Sequence, residues 1–102
     1  MNSRISLQTK LEELMENNHV YYQPPENLKM EYPAIKYSTN DIYNANADNN
    51  KYLLKKQYQL IVIDKKPDNP VILKILNTFK YSYYERHYVS DNLNHDVLIL
   101  YY

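Results

Sequence analysis

The chain has 102 residues, thirteen of them tyrosine and thirteen asparagine, with no cysteine and no glycine. Twelve basic side chains offset twelve acidic ones. Such a chain fits one domain over 1–102 with one core, and it excludes a disulfide scaffold, a thiolate metal site and a glycine-lined phosphate loop. A near-neutral balance also lacks the broad basic footprint of a protein that neutralises many phosphates.

Residues 3–17 read as an amphipathic helix. Ile5, Leu7, Leu11, Leu14 and Met15 recur at three- and four-residue spacing, and Asn17-Asn18 is placed to stop it. Val20-Tyr21-Tyr22 is a short extended piece, and Gln23-Pro24-Pro25 blocks both helix and central strand. Residues 34–43 form a strand with Ile35, Tyr37 and Thr39 on one face and Lys36 and Ser38 on the other. The stretch Asn44–Lys51 has no large apolar residue and reads as a loop. Tyr52–Asp64 is the clearest strand, alternating at first and apolar on both faces by Leu60-Ile61-Val62-Ile63.

Lys65-Lys66-Pro67-Asp68 is a turn, and Asn69-Pro70 starts a second helix with the stripe Val71, Ile72, Ile75, Leu76 and Phe79. Lys80–Val89 is a strand, Ser90-Asp91-Asn92 a turn, and Leu93–Tyr102 the last strand. Without glycine, turns that need positive φ fall to Asn or Asp. The order α-β-β-β-α-β-β predicts an α+β fold, an antiparallel sheet of four to five strands with two helices packed on one face.

The residues offer little for catalysis. His19, His87 and His95 lack metal-ligand spacing, although a hairpin of the last two strands would bring His87 and His95 together. No serine or threonine sits in a strand-to-helix elbow. Glu12-Glu13 belongs on a solvated helix face. The expectation is a protein that is not an enzyme and needs no cofactor or metal. With no apolar run near the ~20 residues of a membrane span and no signal-like start, it is also expected to be soluble.

Two features point to assembly. Asn44, Asn46, Asp48, Asn49, Asn50 and Lys51 form a polar loop without a core anchor. The last strand, Val97 to Tyr102, is apolar on both faces, and a neighbouring copy or the first helix would have to cover it. Tyr81, Tyr83, Leu98, Leu100, Tyr101 and Tyr102 are therefore the expected contact residues. The tract Tyr81, Tyr83, Tyr84, Tyr88 reads first as cross-strand aromatic packing on one face and subunit contact on the other; a stacking platform for single-stranded nucleic acid is the lesser reading, since only Lys80 and Arg86 lie beside it. A generic module that takes a partner peptide at a sheet edge is a third reading.

Tyr22-Gln23-Pro24-Pro25, Met30-Glu31-Tyr32-Pro33-Ala34-Ile35-Lys36-Tyr37, Tyr58-Gln59-Leu60-Ile61-Val62-Ile63-Asp64 and Asp91-Asn92-Leu93-Asn94-His95-Asp96 together resemble small neck proteins of tailed bacteriophages of low-GC Gram-positive bacteria. Within that set the chain is most similar to the tail terminator, or tail completion, proteins; a head-completion or stopper protein is the close alternative. The resemblance covers nearly the whole chain, and its motifs are structural. It implies a homo-oligomeric ring, usually of six subunits, in the virion and, during assembly, in the host cytoplasm. Such a ring caps the tail tube, ends its polymerisation and meets the head connector or stopper protein. A sheath partner would be added in a contractile tail. DNA would pass through without sequence-specific binding, with Asn44–Lys51 in the place of the channel-facing loop.

Overall fold

The computed structural model describes residues 4–43 and 55–102. In chain order the elements are α1 (Arg4–Met15), β1 (Val20–Tyr22), β2 (Ala34–Tyr43), β3 (Lys55–Asp64), α2 (Val71–Thr78), β4 (Ser82–Ser90) and β5 (Leu93–Tyr101). The order is the one the sequence predicts. The strands form one sheet in the order β1-β2-β3-β5-β4. The sheet is mixed, which corrects the expectation of a purely antiparallel one: β1 runs parallel to β2, and every other pair is antiparallel. Residues 23–33 carry the chain back so that β2 starts where β1 started. Tyr21 points away from the face of Val20 and Tyr22, and its hydroxyl accepts a hydrogen bond from the Glu31 amide at 3.2 Å, so this connection passes on the helix-free side.

Alternation along the paired strands sorts the side chains into rows. On one face, Tyr22, Tyr37, Leu60, Leu98 and Tyr84 stand side by side across the sheet. Next to them Val20, Ile35 and Val62 line up on one side, and Tyr58 and Leu100 on the other. Leu7 and Leu11 of α1 and Val71 and Ile75 of α2 pack with these residues in one buried cluster, so both helices cover the same face. Full burial of each such leucine contributes about 1.5–3 kcal/mol.

Hydroxyls fix the position of α1. The Tyr37 hydroxyl donates to Gln8 Oε1 at 2.5 Å and accepts from Arg4 Nη1 at 3.3 Å. The Arg4 guanidinium lies 4.3 Å from the centre of the Tyr22 ring, and the Ser6 and Tyr102 hydroxyls are 2.6 Å apart. Burial pushes the Tyr37 and Tyr58 phenols above their ordinary range.

The glycine-free turns are solved as expected at three positions. Asp68, Asp91 and Asn92 all have positive φ, and the Asp91-Asn92 pair (54° and 62°) makes the tight link between β4 and β5. Two positions differ. Gln23 takes a φ of 42°, and α1 ends on Glu16 (φ 62°) rather than on Asn17, with the Glu16 amide donating to Glu12 O at 2.9 Å. A non-glycine residue there carries a Cβ penalty of about 1 kcal/mol. At the start of α2, Asn69 acts as read: its Oδ1 accepts from the Val71 amide at 2.8 Å.

Two substitutions test this account by chemical denaturation. Glu16→Gly should stabilise the fold by about 0.5–1 kcal/mol, because glycine adopts this conformation freely. Leu98→Ala should cost about 2–5 kcal/mol as a core cavity. A Leu98→Ala cost below about 1 kcal/mol would contradict the packing described.

Candidate functional site

Of the predicted contact residues, half belong to the core. Leu98 and Leu100 are fully buried in the helix-packed cluster, and Tyr102 is buried there too, its ring edge-on to Phe79 at 5.7 Å. The last strand is central, flanked by β3 and β4, and its residues from Asp96 to Leu100 are already buried within the single chain. A side chain sealed inside the monomer makes no contact with a neighbour, so Leu98, Leu100 and Tyr102 are corrected to core residues. Tyr101 is half-buried, with its hydroxyl accepting from Gln57 Nε2 at 2.6 Å. Tyr81 and Tyr83 are exposed. The six residues Asn44, Asn46, Asp48, Asn49, Asn50 and Lys51 lie outside the described residues.

What stands open is β4. It is the outermost strand, and every residue from Tyr83 to Ser90 is exposed, with Tyr83, Tyr84, Tyr88 and Val89 as its large apolar members. A register shift between Tyr84 and Arg86 leaves Glu85 as an extra residue opposite β5. This bulge sorts the strand: Tyr84 pairs with Leu98 on the helix side, whereas Tyr83, Arg86 and Tyr88 pair with Ile99, Val97 and His95 on the helix-free side. Alternation from His87, the partner of Asp96, places Val89 on the helix side. A bulge and adjacent charges on an edge strand discourage strand addition, so this strand offers its side chains to solvent more than its backbone.

The opposite edge is unlike it. The strand β1 has three residues, and its Val20 carbonyl accepts from Gln8 Nε2 at 2.9 Å, so α1 partly caps that edge.

The register also decides the histidine question. His87 shares a row with Asp96 on the helix side, and its Nε2 is 3.0 Å from Asn94 Oδ1. His95 is on the other face, stacked on Tyr88 with ring centres 4.6 Å apart. Cross-strand neighbours of this kind do not converge on one ion. No group of three or more potential metal-ligating side chains occurs among the described residues. Among the described residues, no helix is long and apolar enough to cross a membrane.

One polar contact ties β4 to the core. Asp96 is the buried charged side chain of the described residues, at 7% exposure, and its Oδ1 accepts from the Tyr84 hydroxyl at 2.6 Å. This bond, with burial second, pushes the Tyr84 phenol up to about 12. Sequence reasoning missed the pair, since the Asp96 carboxylate meets the Tyr84 hydroxyl only once β4 and β5 are paired with the bulge between them.

No family model, curated protein or solved structure matches this chain.

A phenol raised above its unfolded value near 10 adds stability that is complete below pH 10 and is lost as the pH rises towards 12. Tyr84→Phe should therefore cost about 1 kcal/mol at neutral pH and flatten the fall in stability across that window. Tyrosine absorbance titration provides the check: a variant that retains every late-ionising phenol of the parent would show that Tyr84 is not one of them.

Proposed function

We propose that this chain is a structural assembly protein of a tailed-phage neck, forming a ring that caps the tail tube, ends its polymerisation and joins the tail to the head connector. The observation that carries the reading is β4, a nine-residue edge strand whose large side chains are left in water. Exposed apolar side chains in number on one element mark a surface meant for a protein partner. Tyr84 and Val89 on the helix side of β4 offer one such surface.

Unlike edges suit a ring. A closed ring with head-to-tail contacts needs two different patches on every subunit, and this sheet ends in a long open strand on one side and a short capped one on the other. The near-zero net charge leaves little long-range repulsion between copies. The step from ring to phage neck rests on the sequence resemblance. It supplies the partners as well: tail tube protein, connector or stopper protein, and a sheath if the tail contracts. DNA passes through the ring. The role is non-catalytic, exercised in the virion after assembly in the host cytoplasm.

Sedimentation of the full chain, alone and with tail tube protein, should give a closed oligomer of about six copies. Val89→Asp should shift it towards monomer with the melting temperature retained. A strictly monomeric species under every condition would sink the ring. Electron microscopy of particles made without this gene decides the role: unattached tails of uncontrolled length support termination, whereas leaking heads beside normal free tails favour head completion.

A further inference from the structure

We infer that the helix-free face of the sheet binds single-stranded nucleic acid, with Tyr83 and Tyr88 as stacking rings and Lys36 and Arg86 as phosphate contacts.

Strand register builds this face. Lys36, Ile61, Val97 and Arg86 form one row across β2, β3, β5 and β4. Strands lie about 4.8 Å apart, so the two cations sit about 14 Å from each other on either side of Ile61 and Val97, with Tyr21 of β1 next to Lys36. The neighbouring rows end in Tyr83 on one side and Tyr88 on the other, each about 7 Å along the strand from Arg86. An extended polynucleotide strand offers bases and phosphates at comparable intervals. Tyr88 is held flat by its stack on His95, and it is exposed at the sheet edge. The Arg86 guanidinium lies 5.8 Å from the centre of the same ring.

Charge is sorted between the two faces, which the zero net charge conceals. By alternation from their strand partners, Asp64 and Asp96 stand on the helix side. On the helix-free face of the paired strands, the one carboxylate among the described side chains is Glu85 at the bulge, 2.6 Å from Arg86 Nη1. Glu31, near the β1 end, is engaged by His19 Nε2 at 2.9 Å. Aliphatic area is scarce as well. Ile63, Val97 and Ile99 are 3% exposed or less and Ile61 is half-buried, so the face shows mainly rings, cations and the half-buried amides of Gln57 and Gln59. A protein interface draws on an apolar centre, whereas strand binding draws on aromatic faces and positive charge.

This inference does not depend on the ring, since it uses the face opposite Tyr84 and Val89. Fluorescence anisotropy with labelled oligo-dT and oligo-rU of about a dozen residues tests it. Stacking on Tyr83 and Tyr88 and the two phosphate contacts do not depend on the sugar, so the two should bind within about threefold of each other, and a duplex at least about tenfold more weakly. Two phosphate contacts give a log–log salt slope of about −1.4, and Lys36→Gln should reduce it by about 0.7. Tyr83→Ala and Tyr88→Ala should each weaken binding about tenfold, with Tyr83→Phe retaining it. Glu85→Gln, which frees Arg86, should strengthen it about twofold to threefold. Far-UV circular dichroism of each variant confirms folding. No binding at low salt, or binding unmoved by both tyrosine substitutions, overturns the inference. So does an oligomer mass that drops in Tyr83→Ala when the parent binds no oligonucleotide, which would make this face a protein interface.

Discussion

The pairing of β5 with β3 on one side and β4 on the other is the constraint from which the remaining architecture follows. It places five consecutive residues, Asp96 to Leu100, out of water on both faces of the sheet. Leu98 and Leu100 provide part of the floor on which α1 and α2 rest, while Val97 and Ile99 close the other side. The same pairing pushes β4 to the outside. Every property of the exposed edge, its tyrosines included, is therefore a consequence of where β5 lies. Asp96 shows how tightly the two are joined: a shielded carboxylate must have a hydrogen-bond donor, and the donor comes from the edge strand.

The tyrosines divide into two populations with different physics. Tyr22, Tyr37, Tyr58 and Tyr102 fill the layer between sheet and helices, where each ring contributes apolar area. Their hydroxyls find Thr39, Gln8 and Ser6, among others. A phenylalanine core would pack similarly but would lose these hydroxyl bonds, which set the position of α1 on the sheet. On β4 the rings have no such cover. Exposure and strand position, not residue type, separate the two populations.

Much of this fold is written locally. The three- and four-residue spacing of Leu7, Leu11, Val71 and Ile75, the Asn69-Pro70 helix start and the Asp91-Asn92 turn each encode their own structure through nearest neighbours. The direction of β1 does not, because a strand's alternation is the same whichever way its neighbour runs. Strand order is hidden for a related reason. Double-sided apolarity in Val97–Leu100 is what a central strand shows and also what an interface strand shows, and only the pairing with β3 separates them. The side of each β4 residue was illegible as well, since one extra residue at Glu85 reverses the phase of everything after it.

That phase reversal gives β4 its two characters. In an unbroken strand Tyr84 and Arg86 would share a face, and Tyr83 would stand opposite Tyr88; the bulge instead unites Tyr83, Arg86 and Tyr88 and leaves Tyr84 with the helices. The cation is thereby set between two rings, while the phenol reaches Asp96. The same extra residue interrupts the row of backbone donors and acceptors that another strand would need. One insertion thus discourages strand addition at the edge, lets its tyrosine anchor to the core and sorts its side chains into two surfaces. Contacts between copies made through the helix side of β4 would leave the opposite face to a different ligand.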